Sequence, residues 1–248
     1  MKTTGGKTVF GASVGILMLN TRFPRIPGDI GNAATWPFPV QYKVVASATP
    51  DNVVRGDAAP LLQSFIDAGH ELVDLGCDGI ATNCGFLVPF QSEMSRALGV
   101  PVASSSLLQA SLIQHTLPAE QSLGILTISS DTLTAKHLDA AGIPRDTPVG
   151  GTGAASHFTT QVLGDEAEID FEQARQDNIS AAVKLLSDHP NIGAILLECT
   201  NMVPYAADIR RATGRPVFSI YTYLLWFQSG LLPRRFSQDL DDIRAPRP

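Results

Sequence analysis

Two stretches, "ATNCGFLVPF" (Ala81–Phe90) and "LLECTNMVPY" (Leu196–Tyr205), decide how this chain is read. Laid over each other with the cysteines aligned, they match well beyond their ends and without a gap. Ile80 falls on Ile195, Cys84 on Cys199, Val88 on Val203 and Pro89 on Pro204. Further on, Arg96 meets Arg211, Gly99 meets Gly214, Pro101 meets Pro216 and Ser104 meets Ser219. An internal repeat of this kind precedes every other inference about the fold, because each copy is one structural unit. A second pair supports it: "VGILML" (Val14–Leu19) returns as "LGILTI" (Leu123–Ile128).

Short β-rich apolar runs alternate with longer helical patterns, which is the signature of parallel sheets covered by helices. Strands are expected at Val14–Leu19, Gly79–Thr82, Val102–Ala103, Gly124–Ile128, Ala194–Leu197 and Val217–Ile220. Helices are expected at Ala59–Ala68, Pro89–Leu98, Ser106–His115, Leu133–Ala141, Phe171–Ser187 and Pro204–Ala212. The fold class is α/β: two pseudosymmetric lobes, each a parallel sheet flanked by helices, with the active site in the cleft between them. The second lobe is placed at residues 118–214. Residues 1–117 form the first lobe, joined by 215–248, because Pro216–Ile220 repeats the Pro101–Ser104 strand and is read as crossing back. Ligands in open α/β sheets bind beyond the carboxyl ends of the strands, and both repeated cysteines lie there.

The rest of the composition narrows the class. The chain has 248 residues, 44% of them apolar, and a formal charge of −6 without a basic patch, which argues against nucleic acid as a partner. Three cysteines are too few for a disulfide framework and suggest a reducing compartment. The start, "MKTTGGKTVFGASVGILMLN", has the look of a secretory leader, but Gly and Ser interrupt it and no small-x-small cleavage site follows. It is read as a buried strand, the protein as cytoplasmic, and no apolar run approaches the ~20 residues that span a bilayer. "NTRFPRIPGDIGNAATWPFPV" (Asn20–Val40) leaves the first strand as a proline-rich loop able to wall or lid the site. "VGGTGAASHF" (Val149–Phe158) is glycine-rich but lacks the strand that a phosphate-binding loop requires. The charged, proline-bearing tail after Leu232 is expected to extend over the surface.

In both copies a proline five residues after the cysteine opens a helical pattern, so each cysteine precedes a helix start. Exposed amides and the helix dipole there favour negative charge, which lowers a thiol pKa and receives a ligand carboxylate. Zinc is excluded because no histidine accompanies a cysteine and Cys77 lies at the far end of its strand, where it is read as structural. The five lysines (Lys2, Lys7, Lys43, Lys136, Lys184) sit in no Schiff-base or phosphate motif, so pyridoxal phosphate is excluded and no cofactor is expected.

Two opposed thiols suit inversion of a stereocentre next to a carboxylate, one removing a proton and the other returning one. The motifs "GILMLN", "ATNCGF", "GILTISS" and "LECTNMVPY", in that order over nearly the whole chain, resemble the cofactor-independent aspartate/glutamate racemase superfamily. That superfamily includes glutamate, aspartate, hydantoin and allantoin racemases, maleate isomerase and arylmalonate decarboxylase. The resemblance implies a two-lobed fold with Cys84 and Cys199 as the acid/base pair. Asn83 and Gly85 flank Cys84 where amino-acid racemases read Cys-Asn-Thr, and Asn201 stands where glutamate racemases place a histidine; Asn20 with Glu198–Cys199 look more like hydantoin racemases. The implied function is a racemase or epimerase, an isomerase, acting on an amino acid or hydantoin-like molecule. Its substrate is a small carboxylate or cyclic amide lined by Asn20, Asn83, Gly85, Ser129, Ser130, Thr200 and Asn201. A homodimer or higher homo-oligomer is expected, and neither a metal nor a membrane. Two other readings stand beside it: a maleate-type cis–trans isomerase using Cys199 as nucleophile, and a two-lobed carboxylate-binding module without turnover.

Overall fold

The computed structural model describes residue 2 and residues 4–236. Its strands are β1 (Val14–Leu19), β2 (Val40–Val45), β3 (Gly79–Thr82), β4 (Val102–Ala103), β5 (Ser122–Thr127), β6 (Val149–Gly151), β7 (Ile192–Leu197) and β8 (Val217–Phe218). Its helices are α1 (Pro50–Val54), α2 (Leu62–Asp74), α3 (Gln91–Leu98), α4 (Ala110–Thr116), α5 (Ala135–Ala140), α6 (His157–Leu163), α7 (Phe171–Asp188), α8 (Ala206–Thr213) and α9 (Ile220–Leu231). The strands form two four-stranded parallel sheets, ordered β2-β1-β3-β4 and β6-β5-β7-β8. The α/β class and the repeat are therefore observed directly: each sheet places the "GIL" strand and the cysteine-bearing strand at its centre.

The central strands read as unbroken apolar runs because both faces are covered. Every residue of β1 and of β7 is buried. The repeat holds down to single backbone angles: α3 ends at Gly99 and α8 at Gly214, both left-handed with φ of 67°. Glycine reaches that conformation without the clash a Cβ brings.

The sequence pattern missed two of the four edge strands, β2 and β6. β2, "VQYKVV", mixes Gln41 and Lys43 into an apolar run, as suits an exposed edge. In β6 the glycines of "VGG" make a strand, not a phosphate loop; Gly150 lies against Leu185, where an added Cβ would come within 3.2 Å. The boundary drawn at residue 215 also needs correction. β8 pairs with β7 and so belongs to the second sheet; only the helix after it crosses to the first.

That helix, α9, begins at Ile220, inside what was read as strand. Ser219 caps it by accepting the amide of Tyr221. Ile220, Leu224 and Phe227 pack with Val14, Ile16, Ala81 and Ala103 of the first sheet. Contact with β3 is so close that a Cβ on Gly79 would meet Phe227 at 2.8 Å. The exchange is reciprocal. The segment after β4 turns to the second sheet, where Ser106 donates to the Leu197 carbonyl at 2.7 Å. Each lobe thus lends its last helix to the other. Of the expected surface tail, residues 237–248 lie outside the described residues. No helix among the described residues is long and apolar enough to cross a membrane.

This exchange predicts a single cooperative unfolding transition, since neither sheet is covered without the other lobe. Phe227→Ala should destabilise the protein by about 3 kcal/mol, the lower range for a buried phenylalanine, measured by denaturant unfolding. Two separate transitions in the native protein would show that the lobes fold independently.

Candidate functional site

β3 and β7 each end one residue short of a turn that carries the chemistry. Cys84 is the N-cap of a 3-10 helix at Gly85–Phe90, and Cys199 is the N-cap of its counterpart at Thr200–Tyr205. Pro89 and Pro204 lie inside these tight turns, so the α-helices start later than the prolines suggested. Both cysteines are buried and free, and both line one small cavity between the lobes, about 30 Å³ in volume. That is room for roughly two water molecules.

The Phe86 amide is directed at the Cys84 sulfur and the Asn201 amide at the Cys199 sulfur, which favours the thiolates as expected. Burial outweighs this. Desolvation, followed by the nearby Glu198 charge, pushes the Cys84 thiol up to about 12. The same two causes raise Cys199 well above its ordinary value, and Cys84 itself adds to the shift. The expected lowering at a helix start is therefore corrected: two amides cannot offset full removal from water. Cys77, at the opposite end of β3, is raised to about 11, also chiefly by burial.

Of the other expected residues, Asn83, Gly85, Thr200 and Asn201 line this cavity. Asn83 Oδ1 accepts the Leu19 amide at 2.8 Å, and its carbonyl accepts Thr200 Oγ1 at 2.6 Å. Asn201 sits between two partners: its Oδ1 accepts from Cys199 Sγ at 3.7 Å, and its Nδ2 donates to Asp29 Oδ2 at 2.7 Å. Asn20, Ser129 and Ser130 are not among its walls. Asn20 is exposed and turns its amide to the Ala46 carbonyl, joining β1 to β2. Ser129 and Ser130 face a neighbouring depression that shares Ile128 and Leu163 with the cavity.

Three residues outside that set complete the site. Arg25 and Asp29 come from the Asn20–Val40 loop and form a buried pair, Nη1 to Oδ1 at 2.7 Å, with Arg25 also donating to Thr21 Oγ1. The loop's role as a wall is thereby visible: Thr21, Phe23 and Arg25 all line the cavity. Its base is fastened to the second lobe by Asp165, which accepts the Arg22 amide at 2.6 Å from a left-handed backbone with φ of 53°. The third residue is Glu198. Its Oε2 accepts from Thr127 Oγ1 at 2.7 Å, its Oε1 has no partner, and burial raises its carboxyl to about 7. The sequence marks Glu198 only by its place beside Cys199. No cluster of metal-ligand type occurs among the described residues.

Solved structures share this architecture. An arylmalonate decarboxylase Gly74Cys mutant matches with TM-score 0.59 at 15% identity, covering 88% of this chain and 92% of that one. Allantoin racemase from Pseudomonas fluorescens matches at 0.55 and 17%, covering 88% and 90%. Aspartate racemase of Picrophilus torridus matches at 0.54 and 15%, covering 92% and 97%. The fold is the one that this decarboxylase and these racemases share. No protein-family profile matches the chain. By sequence, the chain is 28% identical over 244 residues to a dimethylsulfoniopropionate lyase of Durusdinium sp. clade D, covering 95% of this chain and 80% of that protein. It is 27% identical over 219 residues to dimethylsulfoniopropionate lyase 6 of Emiliania huxleyi (strain CCMP1516), covering 85% of this chain but only 57% of that protein. These relatives overturn the expectation of a racemase or other isomerase: proteins similar in sequence are lyases, and the racemases share only the fold.

The Glu198 carboxyl has a measurable consequence. Above about pH 4.5 the unfolded chain gives up this proton, whereas the folded protein keeps it to about pH 7. The folded state then binds more protons, so stability falls as pH rises through that window, by about 3 kcal/mol. Glu198→Gln lacks this loss. Its stability relative to the native protein should therefore rise between pH 5 and pH 8, read from denaturant midpoints. A difference that does not change with pH would show that Glu198 titrates as an ordinary carboxyl.

Proposed function

We propose that this protein is a lyase that acts on dimethylsulfoniopropionate or a close sulfonium carboxylate. The observation that carries the reading is the match to a dimethylsulfoniopropionate lyase over 95% of the chain.

The chemistry follows from the substrate's bonds. A thiolate of the Cys84–Cys199 pair takes the proton on the carbon next to the carboxylate. The electron pair left behind forms the carbon–carbon double bond, the neighbouring carbon–sulfur bond breaks, and dimethyl sulfide leaves with its electrons. Acrylate remains, and the proton passes from the thiol to solvent. A high thiol pKa serves this step, since the thiolate is then a strong base toward a weakly acidic carbon. It requires that something promote ionisation when substrate is present, and the sulfonium charge does so by favouring the anion beside it.

The walls suit such a molecule. Amides at the starts of the two 3-10 turns, with the Arg25 guanidinium, supply positive potential for the carboxylate. Leu19, Phe23, Phe86 and Ile128 exclude water from the reacting carbon. Elimination needs proton removal on one face only, so it asks less of the paired thiols than inversion does.

Incubated with dimethylsulfoniopropionate, the purified protein should release dimethyl sulfide and acrylate in equal amounts, read by headspace gas chromatography and by acrylate absorbance. Replacing the cysteine that serves as base by alanine should lower the rate by about 10²–10⁴-fold. No sulfide from the native protein, or undiminished release from both Cys84→Ala and Cys199→Ala, would reject the reading.

A further inference from the structure

We propose that Glu198 is the counter-ion for the positively charged centre of the ligand, a specificity-determining residue of the cavity whose free oxygen is kept open by the glycine at position 85. This rests on the sulfonium-carboxylate reading and adds to it the residue that recognises the charge.

Glu198 is completely buried, yet only one of its oxygens is used. Thr127 holds Oε2, and Ser106 fixes the backbone by donating to the Leu197 and Glu198 carbonyls. Oε1 is left over against Gly85, which is itself a wall of the cavity. A Cβ at position 85 would collide with that oxygen, so a larger residue there displaces the carboxylate. A buried acceptor without a partner is costly, and a position needing only bulk is filled more cheaply by leucine or methionine. The unused oxygen is therefore a place where a ligand completes the structure.

The charge balance says which ligand. Of the cavity's acids, Glu198 is the one that ionises near neutrality, because burial pushes the Cys84 and Cys199 thiols far up. Its one cationic wall, Arg25, pairs with Asp29 and Thr21 and on this reading faces the ligand's carboxylate, so Glu198 has no cation of its own. An onium centre carries no N–H or O–H, so it is held by charge and by contact with apolar surface. Glu198 supplies the first, and Phe86, Leu19 and Val54 supply the second. With its carboxyl held at about 7, Glu198 stands neutral or charged at little cost near neutrality and ionises fully when a cation arrives.

The test compares two ligands of one shape: 3-(trimethylammonio)propionate and its uncharged counterpart bearing a tert-butyl group. By titration calorimetry, the native protein should bind the onium at least about tenfold more tightly, the scale of one desolvated charge pair. Glu198→Gln should bind the two alike, and Glu198→Asp should keep part of the preference. A native protein that binds the onium no better than its counterpart, including not at all, overturns the proposal whether or not the variants fold. So does a Glu198→Gln protein with the full preference. If the preference depends on Glu198 but dimethylsulfoniopropionate yields no sulfide, the lyase reading falls and this one stands. If sulfide is released and Glu198→Gln still prefers the onium, only this one falls.

Discussion

The bond from Thr200 Oγ1 to the Asn83 carbonyl, 2.6 Å long and buried, ties the start of one cysteine turn to the start of the other. Two further bonds cross the seam in the same manner. Ser106 donates to the end of β7, and Gln109 Nε2 donates to the Ser219 carbonyl ahead of α9. In each, a side chain of one repeat satisfies a backbone carbonyl of the other. Buried carbonyls must be paired, so the two sheets have little freedom to slide. The consequence for chemistry is direct: the thiols are held against one shared cavity by the hydrogen bonding of the seam, not by contacts of their own.

Much of this was legible in the sequence because the repeat carries it. A cysteine, a proline five residues later and a glycine beyond it fix the strand end, the turn and the helix stop in both copies. What was not legible depends on partners distant in sequence. The edge strands β2 and β6 lack the continuous apolar signal, because Gln41 and Lys43 interrupt the one and two glycines make up most of the other. The crossing of α9 was placed one element early, since "PVFSI" is apolar enough for strand while Ser219 acts as a helix cap only once Ile220 has the first sheet to pack on. At the site, the repeat pointed to Cys84 and Cys199, and the family resemblance added Asn83 and Asn201. It was silent about Arg25 and Asp29, which have no counterpart in the second copy.

Those two residues break the symmetry, and they do so on one side of the cavity. Asp29 reaches Cys199 through Asn201, while the Arg25 charge lowers Cys84. The two thiols, equivalent in the repeat, are thus unequal in the folded protein. A reaction that treats both faces of a carbon alike gains nothing from this. A reaction that takes one proton and then expels a leaving group is served by a pair whose members differ, because one thiol can ionise while the other stays protonated.

The same asymmetry bears on how a substrate enters. The cavity is about 30 Å³, too small for a five-carbon sulfonium carboxylate, and its outer wall is the loop that carries Arg25. That loop is held to the second lobe at two points: Arg22 and Phe23 donate to Asp165, whose left-handed backbone is strained for a residue with a Cβ, and Asp29 accepts from Asn201. These loop contacts are exposed or half-buried, whereas the Thr200, Ser106 and Gln109 bonds that join the lobes are buried. On the lyase reading, the loop is the wall that would open to admit substrate. Arg25 would then travel with it, and the guanidinium would meet the carboxylate only as water is excluded, joining binding and assembly of the reacting geometry in one step.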